Sequence, residues 1–327
     1  MSDGNAIAPQ YGYGRRGGAP PDRASLIPAA QPDYLDEKKR GQVALALAAA
    51  DSGQPTLLQG PKGCGKTSAV LAWANKNGYP VVRVDCHEEM SVGELTGSVR
   101  LEGGSTWVAL GPLVLAAELS TQGPVVLCME EVNALPPGVL KTLNPLLDGR
   151  RSVSVAPLGR TWVARQENLR VVGTCNPPSY AGTHAMPEDQ ISRWAVYATG
   201  WPSAALEKRI LLAALTASPG SGVLEQDASV YTTATPKKRA VEDAIVAPLY
   251  TILEHSRSGS WEYALSPRDG VACVRVLGAL RANQAHTYEE AIRGALWGLR
   301  GKVGEDEKAL SDFDTRARAA FSVYAAP

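Results

Sequence analysis

An α/β core, with a parallel sheet between helices, followed by a smaller all-helical domain, is the fold this sequence predicts. Three observations carry it. Short apolar, β-branched runs alternate with helix-like runs from about residue 31 to 202, the pattern of a parallel sheet covered on both faces. A glycine-rich turn, Gly60-Pro61-Lys62-Gly63-Cys64-Gly65-Lys66-Thr67, joins one such strand to one such helix. Beyond Trp201-Pro202 the pattern is helical only.

Residues 1–30 contain YGYGRRGGAPP, low in complexity with little to bury, and read as a disordered tail. The core, 31–202, then runs in order. A helix over Asp36–Ala50 precedes a strand over Thr56–Gln59. A helix over Lys66–Asn77 precedes a strand over Val81–Cys86, and a helix over Leu113–Ser120 a strand over Val125–Glu130. A helix over Pro137–Leu147 precedes a strand over Leu169–Cys175, and a last strand lies near Ala195–Thr199. Two insertions interrupt this order. Residues 98–112 form two β-like arms around Gly103-Gly104, and 151–166 alternate with period two around a turn at Pro157–Gly159, as a hairpin does. In the helical domain, 203–327, a helix over Ser203–Ala217 leads into a Ser/Thr/Gly-rich loop reaching Pro236. Helices follow over Arg239–His255, Pro267–Ala282, Tyr288–Leu299 and Lys308–Tyr324. Ser266-Pro267 reads as an N-cap and first-turn proline, Thr287-x-x-Glu290 as a capping box, and Pro248 as a kink.

Composition sets limits. The 33 Lys+Arg equal the 33 Asp+Glu, so no net field draws the chain to nucleic acid or a membrane. No apolar run reaches the ~20 residues of a membrane helix, and Met1 leads into polar sequence rather than a signal peptide; a soluble, cytoplasmic chain is the expectation. The five cysteines, with no C-x-x-C pair, suit buried reduced thiols, and the four histidines show no ligand spacing.

The chemistry is concentrated at strand ends. Gly60, Gly65, Lys66 and Thr67 complete G-x-x-x-x-G-K-[ST]. Glycines turn backbone N–H groups inward around a phosphate chain, and the helix N-terminus adds partial positive charge. Lys66 would reach the β- and γ-phosphates of ATP, and Thr67 would hold Mg²⁺. The run VVLCMEE ends in Glu130, placed to hold Mg²⁺ through water, and Glu131, placed to polarise an attacking water. LRVVGTCNPP ends in Asn176, an amide able to hold that water. Arg193 in PEDQISRW and Arg268 in SPRDG are candidate guanidiniums for transition-state charge. Arg150, Arg151, Arg160, Arg165 and Arg170 cluster around the second insertion; they suit a solvated hairpin, or contacts to an acidic chain or nucleic-acid backbone. Trp107 and Trp162, one in each insertion, suit packing or client contact.

Together GPKGCGKT, VRVDCHEE with GELTG, LGPLVLAAEL, MEEVNALPPGVLKTLNPLLD, GTCNPP, MPEDQISRW and ALSPRDGV resemble AAA+ ATPases of the MoxR / dynein-related group, which includes midasin, over about residues 31–285. The resemblance implies an AAA+ core with a helical lid. It makes Asn176 sensor 1, Arg193 an arginine finger acting on a neighbouring subunit, and Arg268 sensor 2. It also implies a homo-oligomeric ring, a hexamer, that remodels a protein client with a von Willebrand A-type partner. PDYLDEKK, SRW and SPR also resemble the cobaltochelatase motor subunit, so a motor for metal insertion is an alternative. Others are a nucleic-acid motor, less favoured at neutral net charge, and a weakly hydrolysing scaffold. The last is motivated by Glu130 standing where the family has Asp; Met129 before it is also unusual.

Overall fold

The computed structural model describes residues 21–30, 41–102, 104–177, 185–231, 240–282 and 286–324. The expected tail over 1–20, the helix start at 36–40, Gly103, Pro178, and the 232–239 stretch lie outside the described residues. The described chain divides into two compact units, the first running in the main to Gly200 and the second from Trp201 on, with Lys62–Cys64 grouped with the second.

In the first unit, α1 (Gly41–Asp51) buries Val43, Ala46, Leu47 and Ala50, a helical stripe. Then come β1 (Thr56–Gln59), α2 (Lys66–Asn77), β2 (Val81–Asp85) and α3 (Val92–Thr96). The first insertion is the antiparallel pair β3 (Gly97–Glu102) and β4 (Ser105–Leu110). Next are α4 (Pro112–Ser120), β5 (Val125–Glu130), α5 (Pro137–Leu140) and α6 (Asn144–Leu147). The second insertion is the hairpin β6 (Ser152–Val155) and β7 (Arg160–Val163), turned by a 3-10 segment at Ala156–Leu158. β8 (Leu169–Cys175), α7 (Glu188–Ile191) and β9 (Ala195–Ala198) complete the unit.

Five strands form one sheet in the order β2-β5-β8-β1-β9, every pair parallel. β8 is buried at all seven positions and β5 at all but Glu130. Two-sided burial is why these strands read as unbroken apolar runs. Because β8 lies between β1 and β5, the C-terminal ends of β1, β8 and β5 open side by side. That edge is where α/β sheets place their ligands.

The second unit is helical: α8 (Ala204–Thr216), α9 (Ser221–Tyr231), α10 (Ala247–His255), α11 (Pro267–Ala282), α12 (Tyr288–Arg300) and α13 (Glu307–Ala320). Its core joins Leu211, Leu253, Trp261, Val274, Leu296 and Phe313. Ser266 caps α11 together with Asp269, and Thr287 with Glu290 forms the capping box expected for α12.

Four expectations need correction. Order begins before residue 31: a 3-10 turn at Arg23–Leu26 is held by the Arg23 guanidinium, which donates to the Leu119 and Pro124 carbonyls at 2.6 Å each. The Ser/Gly-rich stretch expected as loop contains α9, because Leu224 and Ala228, four apart, reach the core. The helix expected over Pro137–Leu147 breaks into α5, a 3-10 turn at Lys141–Leu143, and α6. Pro145 lacks an N–H and clashes with the carbonyl four residues back. The last helix ends at Ala320 rather than Tyr324, which turns its hydroxyl onto Asp314 at 2.7 Å. Pro248 itself follows a π-turn at Glu242–Val246 and starts α10.

Candidate nucleotide site

The loop between β1 and α2 has Gly63 at φ 78° and Gly65 at φ 91°, the left-handed region where a side chain is strained. Pro61, Lys62, Gly63 and Cys64 lie in this loop; Lys62 is exposed and Cys64 buried. The Lys66 ammonium donates to the carbonyls of Gly60 at 2.7 Å and Pro61 at 2.8 Å, and to Asn176 Oδ1 at 3.1 Å. The amide of Asn176 donates in turn to Glu131 Oε1 at 3.3 Å. The Thr67 hydroxyl donates to Glu130 Oε2 at 2.8 Å. So Lys66 and Asn176, Asn176 and Glu131, and Thr67 and Glu130 are hydrogen-bonded pairs, drawn from α2 and the ends of β5 and β8.

Three residues that sequence reasoning missed shape this edge. The Thr174 hydroxyl accepts from the Glu131 N–H at 3.2 Å, and the Asn133 amide donates to the Asn176 carbonyl at 3.2 Å. Both contacts tie β5 to β8. They hold Glu131 at φ 53° and ψ 45°, left-handed for a non-glycine residue. Arg83 of β2 donates to Glu130 Oε1 from Nε at 2.8 Å and forms an ion pair with it through a terminal nitrogen at 2.5 Å. Burial works against the Arg83 charge, but the attraction of Glu130 and their hydrogen bond outweigh it and raise the pKa. A lone arginine in the apolar strand VVRVD was the signal available for it. Beside Asn176, burial pushes the Cys175 thiol up to about 11; all five cysteines are buried and unbridged.

The residues fit a Mg²⁺-nucleotide by their donor chemistry. The Thr67 hydroxyl and Glu130 carboxylate are hard oxygens in contact at the start of α2, the donor type magnesium takes. Lys66 presents its ammonium at the same helix start, whose N–H groups favour an anion.

Arg193 is not part of this network. It is half-buried after α7, and its guanidinium donates to the Asp189 carbonyl. Its neighbour Trp194 is buried over Gly173 of β8, where an added Cβ would meet the indole at 3.2 Å and Leu57 at 2.9 Å. Arg268 belongs to the second unit and is exposed in the first turn of α11.

The arginine-rich stretch does not form one surface. Arg151 is buried and donates to the Leu146 carbonyl at 3.1 Å and the Gly53 carbonyl at 2.5 Å. Arg170 is buried against Asp51 at 2.8 Å and over the Tyr79 ring. Arg150 pairs with Asp148, and Arg160 stacks on Trp162 at 4.5 Å. Trp162 is itself buried and donates to Glu118 at 2.8 Å. Among the described residues no helix is long and apolar enough to cross a membrane.

The family model described as an AAA domain of the dynein-related subfamily matches residues 55–194. Protein NorQ of Paracoccus denitrificans is 36% identical over 148 residues, covering 45% of this chain and 52% of NorQ. Denitrification regulatory protein NirQ of Stutzerimonas stutzeri is 30% identical, covering 49% of this chain and 56% of NirQ. Midasin of Giardia intestinalis is 36% identical over 43% of this chain and 3% of midasin. The chain thus matches about half the length of its NorQ and NirQ relatives. Among solved structures, NtrX of Brucella abortus in complex with ATP aligns at TM-score 0.51 and 15% identity, over 89% of this chain and 62% of that one; this is a likeness of fold.

Proposed function

Since residues 55–194 are an AAA domain of the dynein-related subfamily, we propose that the chain is a MoxR-type ATPase that spends ATP hydrolysis on remodelling a protein client. Two hydrogen-bonded groups, Lys66–Asn176–Glu131 and Thr67–Glu130, carry this reading, because together they offer a cation for phosphate, a pair of hard oxygens for a metal, and a carboxylate beside an amide for the attacking water. Gly60 to Thr67 hold the phosphates. Thr67 and Glu130 hold Mg²⁺, which when bound neutralises charge on the β- and γ-phosphates. Glu131 takes the proton of the attacking water, and Asn176, already bonded to Glu131, orients that water. Arg193 serves the ATP of a neighbouring subunit, so the working form is a homo-oligomeric ring, a hexamer by resemblance. Arg268 has a phosphate-sensing role by resemblance alone, as has the von Willebrand A-type partner.

The test is Glu131→Gln. It should bind ATP as the parent does while turnover falls by about 10²–10⁴-fold, the usual worth of a positioned base. In ATP the stalled variant should retain its client in a pull-down. Turnover at the parental rate would overturn the assignment. A second reading, a nucleotide-binding scaffold with little hydrolysis, is favoured by one observation: Glu130 in the metal-side place is one methylene longer than the family's aspartate. Turnover of the unaltered chain decides between them.

A further inference from the structure

We propose that Arg83 is a positioning residue that allows a glutamate to serve at the metal-side place of this site. The inference rests on reading Glu130 as the metal-side acid. In the β2–β5 register Asp85 pairs with Glu130 and Arg83 with Cys128. Arg83 is therefore the diagonal neighbour of Glu130 on the same face of the sheet. The two carboxylate oxygens of Glu130 have separate partners. Oε1 meets the two Arg83 nitrogens at 2.8 and 2.5 Å, and Oε2 receives the Thr67 hydroxyl at 2.8 Å.

Glutamate has one more torsion than aspartate, with three staggered wells. At a strand end with 19% side-chain exposure, nothing in the strand itself selects the well that points Oε2 at Thr67. The guanidinium does so, by holding the other oxygen from the neighbouring strand. The terminal Arg83 nitrogen that meets Glu130 also lies 3.6 Å from the exposed Asp85 carboxylate. The Arg83 side chain is 40% exposed, and ion pairs that open to water add little to stability. What remains is an effect on geometry.

Charge and position predict opposite signs. If Arg83 acted only by neutralising Glu130, removing it would strengthen metal binding. If it positions Glu130, removing it weakens metal binding. The experiment follows binding, not turnover: affinity of the full chain for a non-hydrolysable ATP analogue across a Mg²⁺ titration. Arg83→Gln should raise the Mg²⁺ concentration for half-maximal tightening about threefold, the worth of releasing one torsion with three wells. Arg83→Lys should fall between, since an ammonium keeps the charge but not the paired N–H contacts. It also carries the test if Arg83→Gln folds poorly. In a Glu130→Asp background, where the extra torsion is gone, Arg83→Gln should shift the midpoint less than about twofold, below the threefold a rotamer set allows.

An equal shift in both backgrounds, no shift, or tighter Mg²⁺ binding would overturn the proposal while leaving the metal role of Glu130 intact. A Glu130→Ala chain with unchanged Mg²⁺ dependence would instead remove the metal reading, and the role of Arg83 with it.

Discussion

Glu207 has no exposure to solvent, and both of its oxygens are taken by Arg257, at 2.6 and 2.7 Å. Arg257 also donates to the Leu265 carbonyl at 2.9 Å and lies over the Trp201 ring. Removing one partner strands a buried charge. Glu207→Ala should cost the helical unit about 3–5 kcal/mol, read as a lowered Tm; replacing both partners with apolar residues of similar volume should cost far less. The residues of the candidate site differ in how far sequence alone points to them. Lys66, Thr67, Glu130, Glu131 and Asn176 were legible because each closes an apolar run or follows a glycine turn, and their local chemistry has few other uses. Arg83, Thr174 and Asn133 were not. Their roles depend on which strand lies beside β5 and in what register, and no periodicity within one strand carries that.

At the scale of elements, Gly173 bears on the placement of the proposed arginine finger. Its missing side chain admits the Trp194 indole and Leu57 against β8, and Trp194 is next to Arg193. Gly173→Ala should cost about 1–3 kcal/mol through overpacking. It should lower ATPase activity more than ATP binding, because the loop before α2 is left intact. Adding Leu57→Ala should restore much of both losses; failure to do so, with Trp194 fluorescence unchanged, would argue against this packing. The central strands and both hairpins were legible because burial and turn chemistry agree there. α9 was hidden by its Ser and Gly content, although Leu224 and Ala228 have helical spacing. The Arg23 anchor was hidden for a different reason: two carbonyls more than 90 residues away hold it, with no apolar pattern.

At the scale of the whole molecule, the proposed ring makes each site depend on two chains. Lys66→Ala chains lack phosphate binding and Arg193→Ala chains lack the finger, so each alone should be inactive. Mixed, they form interfaces with one intact loop and one intact arginine, and activity should return. An arginine finger is worth roughly 10³–10⁵ in rate, so even partial recovery is measurable. No recovery in rings shown to be mixed, with analogue binding intact in the Arg193→Ala subunits, would count against a finger in trans. One peptide also bears on how this protein could be improved or damaged. Glu131 occupies a left-handed backbone well that costs a side-chain-bearing residue about 1–3 kcal/mol, and glycine would sit there without that cost. On the proposed function, a screen that ranks variants by heat resistance alone would therefore reward Glu131→Gly and select a sturdier molecule deprived of its proposed base. Stability and work are set against each other at this residue, and durability is a misleading guide to fitness in this chain.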